Sequence, residues 1–428
     1  MTNLQLAIQF MKGVLNSPDH SLLKKHFLED ISYRSDQRNI TNALVGFSEW
    51  RIIKNRKLGN DVTVPRSKGL ILTSSKHSMI PTKSYIEQNL NQADLSIVFR
   101  DDLTIEFKTL VERMSYFLFV LKISWMCMRK KTHRLNLALC IREVIEWARI
   151  VELLQNQNGL LFIDFSGYEK DSNALAKFIQ AQGFEVIKVP SPGPLHAHYN
   201  FVVADTLILS SAYQQEEITR LSNQWEVKQF SFWPPEQYHQ YESIYQNQTE
   251  PPSLTIGFYS HGEWLRRAQG HADPGLDILA NEEALLKDLS VFLKKHPSYQ
   301  LIIFPHPKER NSTLTSDYYQ NKLPGVRYQF SKEGIPSSHL FHTVDIGLMA
   351  YSTLIFERLG MGYKTLIAKY TPSVFPIQES SLNAILFSNS ESLENQILQT
   401  ENENRSKYFE RNNLSIHLIS NFTRQLNH

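Results

Sequence analysis

Short apolar runs alternate with helical patterns along the first half of the chain. The runs are rich in Leu, Ile, Val and Phe and are bounded by residues typical of turns, as expected for buried β-strands. Strands are predicted at residues 69–73, 95–99, 160–164, 185–189, 206–210 and 227–232. Residues 172–183 have helical periodicity, with a Ser at the start and a Gly at the end. This half therefore predicts a sheet whose strands are joined by helices.

The alternation begins again after residues 233–253, which carry two Pro-Pro pairs and no long apolar run. Strands are predicted at residues 255–260, 300–305, 326–330, 344–349 and 365–369, with a helix at 281–296. Strands alternating with helices form parallel sheets with right-handed crossovers. The predicted fold class is α/β, with two Rossmann-like, doubly wound domains facing across a cleft. We place the first domain, with extra helices, at residues 1–240 and the second, with a helical tail, at residues 241–428.

The composition is that of a folded protein with little electrostatic preference. A chain of 428 residues exceeds what one hydrophobic core usually supports, which favours two domains. The net charge of +2 gives no support for nucleic-acid binding. The two cysteines, Cys127 and Cys140, fall in one predicted helical region and suit neither a disulfide framework nor a paired metal motif.

Three segments bear on the location of the protein: the N-terminal residues, an apolar stretch and a basic cluster. The N-terminal residues lack the basic start and continuous apolar stretch of a signal peptide, so a cytoplasmic location is expected. Residues 114–128 are apolar but contain Lys122 and are shorter than the ~20 residues a spanning helix needs, so we interpret them as a buried helix. The basic cluster at residues 129–134 can touch anionic lipids, although a solvated polar stretch is the favoured interpretation. Peripheral contact with the inner membrane is a hypothesis from that cluster.

Several common cofactor and metal motifs are absent from the sequence. Neither a GxGxxG loop nor a GxxxxGK[ST] loop occurs, which disfavours a dinucleotide enzyme or a P-loop phosphotransferase. There is no HExxH or CxxC motif, so no metal site and no cofactor are predicted.

The first candidate site is the run LIIFPHPKER at residues 301–310. Pro305 cannot continue a sheet ladder, so the buried strand stops there and His306 stands at its end. The carboxyl ends of strands are where open α/β sheets bind ligands. His306, Lys308 and Arg310 can contact a phosphate there by charge-assisted hydrogen bonds.

The second candidate site is at residues 350–370, where a strand leads into Ser352 and Thr353, a short helix and two glycines. Hydroxyls at a helix N-terminus favour an anion. Glu357 lies four residues past Thr353 on nearly the same face, where a carboxylate can bind ribose hydroxyls. An ordinary N-cap with an exposed glutamate is an equally good interpretation.

The third candidate site is the loop after the first strand of the second domain, at residues 257–275. A glycine-bearing loop allows the backbone to approach a ligand, and paired arginines can neutralise phosphate. The residues assigned to this site are Ser260, His261, Gly262, Arg266 and Arg267. His271 and Asp273 can instead form a turn.

Together these elements resemble the nucleotide-binding half of GT-B glycosyltransferases: a strand-ending His-Pro, then a strand, a Ser-Thr pair and a Glu-bearing helix. The resemblance is closest to bacterial surface-polysaccharide enzymes that use CMP-activated sugars, the sialyltransferases and Kdo transferases. CDP-glycerol glycerophosphotransferases share similar elements. The resemblance implies that His306, Ser352 and Thr353 contact the donor phosphate and that Glu357 contacts the nucleoside. It covers the second domain in motif pattern and the first domain only as a fold.

Sialyltransferases of this type also carry an acidic motif after a strand of the first domain. The nearest match is at residues 164–168, where Asp164 is kept and the glycine is displaced. The resemblance implies that Asp164 deprotonates the acceptor hydroxyl; a structural aspartate that caps the following turn is at least as good an interpretation. Further candidates at strand ends, as base or acceptor contacts, are His77, Asp101, Asp102, His196 and His198.

The resulting hypothesis is a metal-independent, inverting GT-B glycosyltransferase in which His306 also acts catalytically, by stabilising charge on the leaving phosphate. Its partners are a nucleotide-sugar donor, with a CMP-sugar favoured, and a glycan or lipid-linked glycan acceptor of the bacterial surface. A UDP-, GDP- or TDP-sugar would use the additional charges of Arg266, Arg267, Lys308 and Arg310. Two further hypotheses are transfer of an alditol phosphate from a CDP-alcohol and a non-catalytic subunit that binds nucleotide sugars.

Overall fold

The structure is a computed structural model that describes the chain in separate stretches. The described residues are 2–16, 23, 68–73, 83–91, 93–99, 114, 118, 136–156, 161–164, 172–189, 202–221, 225–233, 254–270, 278–371 and 380–419. The chain divides into two compact units. The first comprises Met1–Ser191, His198–Leu209 and Ile218–Trp233, and the second comprises Pro192–Ala197, Ser210–Glu217 and Pro234–His428.

The first unit is built on a six-stranded parallel sheet. Its strands are β1 (Gly69–Thr73), β2 (Leu95–Phe99), β3 (Leu161–Asp164), β4 (Glu185–Lys188), β5 (Val202–Leu209) and β6 (Trp225–Phe232). Across the sheet the order is β2-β1-β3-β4-β5-β6. The chain moves outward from β1 to β2 and returns on the other side of β1 as β3. This reversal makes the gap between β1 and β3 the topological switch point, where such sheets bind ligands.

The second unit has a six-stranded parallel sheet of its own. Its strands are β7 (Thr255–Tyr259), β8 (Gln300–Phe304), β9 (Tyr328–Phe330), β10 (Ile346–Met349), β11 (Thr365–Ala368) and β12 (Leu386–Phe387). The order across the sheet is β12-β11-β10-β7-β8-β9. The chain therefore reverses between β7 and β10, and the switch point of this sheet lies between those two strands.

Helices connect the strands in both units. Among the described stretches, those before β7 include α1 (Asn3–Asn16), α2 (Lys83–Leu90), α3 (Asn136–Asn156), α4 (Ser172–Ala181) and α5 (Ala212–Leu221). Those after β7 include α6 (Glu263–Ala268), α7 (Ile278–Lys295), α8 (Pro307–Arg310), α9 (Thr315–Lys322), α10 (Leu354–Gly360), α11 (Ser390–Glu401) and α12 (Arg405–Arg411). Short 3₁₀ helices occupy Ser337–Thr343, Ser380–Ile385 and Ser415–His417.

Each unit has its own hydrophobic core. In the first, Trp147 of α3 and Phe178 of α4 are fully buried, and their rings stack with centroids 5.8 Å apart. In the second, Tyr259 at the end of β7 stacks on Phe304 at the end of β8, with centroids 4.3 Å apart. Because helices cover both faces of a parallel sheet, its inner strands are buried on both sides and have apolar runs rather than alternation.

The structure confirms the predicted strands and the predicted helices at residues 172–183 and 281–296, with small differences at their ends. The largest difference is at β5, which begins at Val202 rather than at residue 206. Strand β12 was not predicted, because its two residues are too few to form a recognisable pattern.

Several predicted segments lie wholly or partly outside the described residues. Of residues 114–128, only Met114 and Leu118 are described, and both side chains are exposed. The basic cluster at 129–134 and the connection at 234–253 are not among the described residues. Within the stretches that are described, no helix has the length and apolarity needed to cross a membrane.

Candidate functional site

Three chain segments meet at the carboxyl edge of the second sheet, beside its switch point. In register, Met349 of β10 pairs with Tyr259 of β7, and Tyr259 pairs with Phe304 of β8. The three strands therefore end at the same level. Each is followed by one of the candidate sites predicted from the sequence, at residues 260–267, 305–310 and 350–357. The sheet topology thus brings together segments that are far apart along the chain.

His306 stands between a strand that ends and a helix that begins. Pro305 follows β8, and Pro307 is the first residue of α8, a position where proline is favoured because its missing N–H is not needed. His306 is the N-cap of α8, and its Nδ1 accepts a hydrogen bond from the backbone N–H of Lys308 at 3.2 Å. In a neutral imidazole this leaves the proton on Nε2, which becomes a hydrogen-bond donor.

The loop after β7 packs against this histidine. Gly262 has φ +75°, a left-handed conformation that favours glycine. A Cβ at Gly262 would lie 2.9 Å from the Cβ of His306, so only a glycine fits so close to the histidine. The ring centroid of His261 lies 6.4 Å from that of His306. The two imidazoles are therefore neighbours.

Both imidazoles are held in the neutral form. Burial, followed by the positive charge of Arg266, lowers the pKa of His261 to about 3 and that of His306 to about 4. Lys308 and Arg310 lower the pKa of His306 further. At neutral pH the two rings offer uncharged hydrogen-bond donors, and Arg266 supplies the positive charge beside them.

The two arginines of α6 differ in their surroundings. The buried carboxylate of Glu263 lies 3.8 Å from Nη1 of Arg266 and 3.6 Å from Nε of Arg267. Arg266 also donates from Nη2 to the backbone carbonyl of His261 at 3.3 Å. Arg267 is more exposed. Of the two, Arg266 is the one whose charge acts on the histidines.

The two cationic side chains that follow His306, Lys308 and Arg310, differ in their surroundings. Lys308 is exposed at the start of α8. Arg310 donates to the carbonyls of Pro305 and Ile335 at 3.3 and 2.7 Å and to the hydroxyl of Ser337 at 3.1 Å. Because its guanidinium is engaged with the chain in this way, Arg310 holds the 335–337 segment in place. The sequence had suggested a phosphate contact for Arg310, and its position in the structure does not suit that role.

The segment after β10 supplies the third side of the cluster. The ring of Tyr351 lies 5.1 Å from that of His261. Ser352 and Thr353 precede α10, as predicted. The Ser352 hydroxyl accepts from the backbone N–H of Leu354 at 3.2 Å, whereas the Thr353 side chain is exposed and makes no capping bond. Burial raises the pKa of the half-buried Glu357 to about 7.

Three buried glutamates beneath these loops were not predicted from the sequence. Glu263, Glu282 and Glu309 are at most 1% exposed. Glu282 accepts from the backbone N–H of His261 at 2.5 Å, and Glu309 accepts from the backbone N–H of His306 at the same distance. The spacing of His306 and Glu309 is that of a capping box, a signal the sequence did contain; the position of Glu282 within a regular helix gave none.

We refer to His261, Gly262, Arg266, His306 and Ser352 as the strand-end cluster. The cluster combines two neutral imidazoles, one guanidinium, a hydroxyl and a glycine at the carboxyl edge of a parallel sheet, beside its switch point. Ser260, by contrast, is buried and donates its hydroxyl to Glu309 at 3.1 Å, so it supports the loop from within.

In the first unit only one predicted site residue can be described. Asp164 is buried at the end of β3, and its Oδ2 lies 4.0 Å from Nζ of Lys188 at the end of β4. Lys188 also donates to Oδ1 of Asn173 at 2.8 Å. Contacts of this kind also suit a structural role for Asp164. His77, Asp101 and His198 lie outside the described residues.

Within the part of the chain that the structure describes, no group of three or more His, Cys, Asp or Glu side chains is arranged to hold a metal ion.

Comparison with known proteins shows the fold. No protein-family model and no curated protein matches the chain. Among solved structures, a putative UDP-N-acetylglucosamine 2-epimerase from Listeria monocytogenes is 12% identical, with 84% of this chain and 94% of that one covered at a TM-score of 0.50. UDP-GlcNAc 2-epimerase from Neisseria meningitidis bound to UDP-GlcNAc is 12% identical, with 84% and 98% covered at 0.45. HepE of Anabaena in complex with UDP and glucose is 12% identical, with 84% and 95% covered at 0.40.

At such low identity a likeness shows the fold alone. Together with the two six-stranded parallel sheets, the likeness to the Listeria protein shows two Rossmann-like α/β domains of the GT-B fold class. The resemblance to CMP-sugar enzymes stays a prediction.

Proposed function

We propose that this protein is a glycosyltransferase-type enzyme that binds the phosphate of a nucleotide-sugar donor at the strand-end cluster. The observation that carries the proposal is that the segments bearing His261 and Arg266, His306, and Ser352 all lie at the carboxyl edge of the second sheet, beside its switch point. A phosphate leaving group needs hydrogen-bond donors and positive charge that are already in place. Imidazole Nε2–H, guanidinium and hydroxyl groups are donors of this kind.

In this mechanism, the cluster acts on the leaving group. As the bond between the sugar and the phosphate breaks, negative charge grows on the phosphate oxygens. Arg266 offsets that charge, while His306 and His261 donate hydrogen bonds from their neutral rings. Glu357 is proposed to contact the nucleoside, as the sequence resemblance implies. Its position on α10, one turn past Thr353, is compatible with that role.

Two nucleotides are candidates for the donor, CMP and UDP. The sequence motifs resemble those of enzymes that use CMP-sugars. The similar Listeria protein is described as a putative UDP-N-acetylglucosamine 2-epimerase, which makes a UDP-sugar an equally good candidate for this chain. A surface glycan or lipid-linked glycan remains the proposed acceptor.

A second candidate function is nucleotide-sugar binding without transfer. The position of Asp164 favours it, because its carboxyl group is buried and its Oδ2 lies 4.0 Å from Nζ of Lys188, a contact that also suits a structural role. Asp164 therefore remains a proposal as the base that deprotonates the acceptor hydroxyl. The Asp164→Asn variant tests this role, because a catalytic base is needed for transfer and a structural aspartate is not.

The experiment is an incubation with CMP-sialic acid, CMP-Kdo, UDP-GlcNAc and UDP-glucose, with the released nucleotide and the sugar product measured by mass spectrometry. We expect one donor class to be hydrolysed or transferred, and His306→Ala to reduce its turnover by about 100-fold or more, the range seen when one charge-stabilising donor is lost. Binding of a donor without any turnover would favour the non-catalytic candidate, and neither binding nor turnover would contradict the proposal.

A further inference from the structure

Glu309 is a charged side chain in the interior of the protein. It is the third residue of α8 and is 0% exposed. Burying a carboxylate is costly unless hydrogen bonds replace its water, so donors around a fully buried glutamate stabilise it. Burial raises the pKa of Glu309, while the hydrogen bonds it accepts act in the opposite direction.

Four hydrogen-bond donors from three segments surround this carboxylate. Oε1 accepts from the hydroxyl of Ser260 at 3.1 Å, from the hydroxyl of Tyr319 at 3.2 Å and from the indole N–H of Trp264. Oε2 accepts from the backbone N–H of His306 at 2.5 Å. One side chain thus joins the loop after β7, the turn after β8 and helix α9.

The partners of Glu309 in turn support the cluster. The Ser260 hydroxyl that donates to Glu309 also accepts from the backbone N–H of Gly262 at 3.0 Å. The backbone N–H of His306 donates inward to Oε2 of Glu309. The imidazole of His306 accepts from the backbone N–H of Lys308 and packs on Gly262. All four donors are neutral, so Glu309 does not draw the charge of Arg266 away from a ligand.

We propose that Glu309 is a positioning residue of the strand-end cluster: its carboxylate fixes the loop of Gly262 against the turn of His306, and nucleotide binding depends on that alignment. This inference rests on the proposed function for its ligand. The geometric part, that Glu309 fixes the His306 imidazole, holds independently of which ligand binds.

The test compares Glu309→Gln with Tyr319→Phe in the full-length chain. A glutamine keeps the size of the side chain but has only one acceptor oxygen, so the donors on one side lose their partner. Tyr319→Phe removes one donor to the same carboxylate and leaves the bond to His306 in place. The readouts are the Kd of UDP and CMP by calorimetry, and the ¹⁵N signals of the His306 imidazole, assigned by their loss in His306→Ala.

We expect Glu309→Gln to weaken nucleotide binding at least about tenfold and to change the His306 signals from those of a single Nε2–H tautomer. Tyr319→Phe should lower the melting temperature yet keep Kd within about threefold and leave the His306 signals unchanged. If Glu309→Gln fails to fold, Glu309→Asp, which keeps the charge and shortens the reach, takes its place with the same expectations.

The outcomes separate this inference from the proposed function. A folded Glu309→Gln protein with wild-type Kd or wild-type His306 signals overturns the positioning role. If the wild type binds no nucleotide, the proposed function fails, and the His306 signals alone decide: a change supports the positioning role and no change refutes it.

Discussion

Among single residues, Gly262 is the one whose lack of a side chain most directly shapes the strand-end cluster. Its φ of +75° is strained for any other residue, and an added Cβ would meet the Cβ of His306 at 2.9 Å. We expect Gly262→Ala to destabilise the protein by about 2 kcal/mol and to weaken nucleotide binding about tenfold. Thermal unfolding and calorimetry measure the two effects.

Gly270 provides a matched control. It has the same φ of +75°, but a Cβ there has no atom within 4 Å. Gly270→Ala should therefore cost about 1 kcal/mol for its backbone conformation and leave nucleotide affinity unchanged. Equal losses of affinity in both variants would contradict the role given to the contact between Gly262 and His306.

Glu282 makes the stability of the protein depend on pH. Burial, together with the charges of Glu309 and Glu263, raises its pKa from 4.5 to about 8, while the N–H of His261 and the charge of Arg266 oppose the rise. A raised pKa means that the folded state holds a proton that the unfolded state releases above pH 4.5. The stability due to that proton is complete below this pH and is lost as the pH rises towards 8.

We expect Glu282→Gln to become more stable relative to the wild type between about pH 5 and about pH 9, by roughly 2–4 kcal/mol, since one pKa unit corresponds to about 1.4 kcal/mol. Chemical unfolding at both pH values gives this difference. The histidines with lowered pKa values are present in both the wild type and Glu282→Gln, so their contribution to the free energy of unfolding cancels in the comparison. Glu283→Gln is the control, because it changes a partly exposed neighbour that pairs with Lys322. A similar difference in that variant would contradict the assignment.

The residues of the site could be predicted from the sequence only where they stand in a local pattern. His306 was found because two prolines surround it at the end of an apolar run. Glu282 was not found, because its partner, the backbone of His261, is distant along the chain. Arg310 was assigned to phosphate on its charge alone, and the carbonyls that engage it belong to a segment that no local pattern connects to it.

At the scale of secondary-structure elements, the packing of α10 on β10 depends on another glycine. Arg358 of α10 is fully buried, and it donates to the hydroxyl of Tyr259 at 2.7 Å and to the carbonyl of Lys364 at 3.1 Å. A Cβ on Gly347 would overlap the guanidinium. We expect Gly347→Ala to destabilise the second unit by about 3 kcal/mol, as overpacking of a core does, and thermal unfolding measures the loss.

Gly13 in α1 is the control for the substitution itself. A Cβ there meets no atom within 4 Å, and the residue is in a helix. Gly13→Ala should stabilise the protein by up to about 1 kcal/mol, because alanine favours helix more than glycine does. A loss of stability at Gly13 equal to that at Gly347 would show that the packing of Arg358 is not the cause.

The elements themselves were largely predictable, since strands buried on both faces have continuous apolar runs. β7 and β8 were found almost to the residue. The start of β5 was not found, because Ala204 and Asp205 interrupt its apolar pattern; the Asp205 carboxylate accepts from the backbone N–H of Val186, a contact that only the folded sheet provides. Strand order was not predicted, because pairing between distant segments leaves no local signal.

For the molecule as a whole, topology relates the sequence motifs to one another. The reversal between β7 and β10 explains why three motifs separated along the chain meet at one sheet edge. Alternation of strands and helices predicted this kind of fold, and the structure confirms two Rossmann-like domains. The nucleotide stays undetermined at this scale, because many ligands bind at the same edge of such sheets and the fold does not distinguish them.

The most direct test of the central claim is thermal unfolding of the wild type, His306→Ala and His296→Ala with UDP, CMP, CDP, GDP and TDP. His296 is a matched control, because Pro297 also follows it but it lies before β8, at the other end of that strand. A nucleotide at about 100 times its Kd stabilises a protein by about 2.7 kcal/mol. We predict that one nucleotide class stabilises the wild type and His296→Ala and that His306→Ala loses the effect. The claim would be contradicted if no nucleotide stabilised the wild type, or if His306→Ala responded as the wild type does.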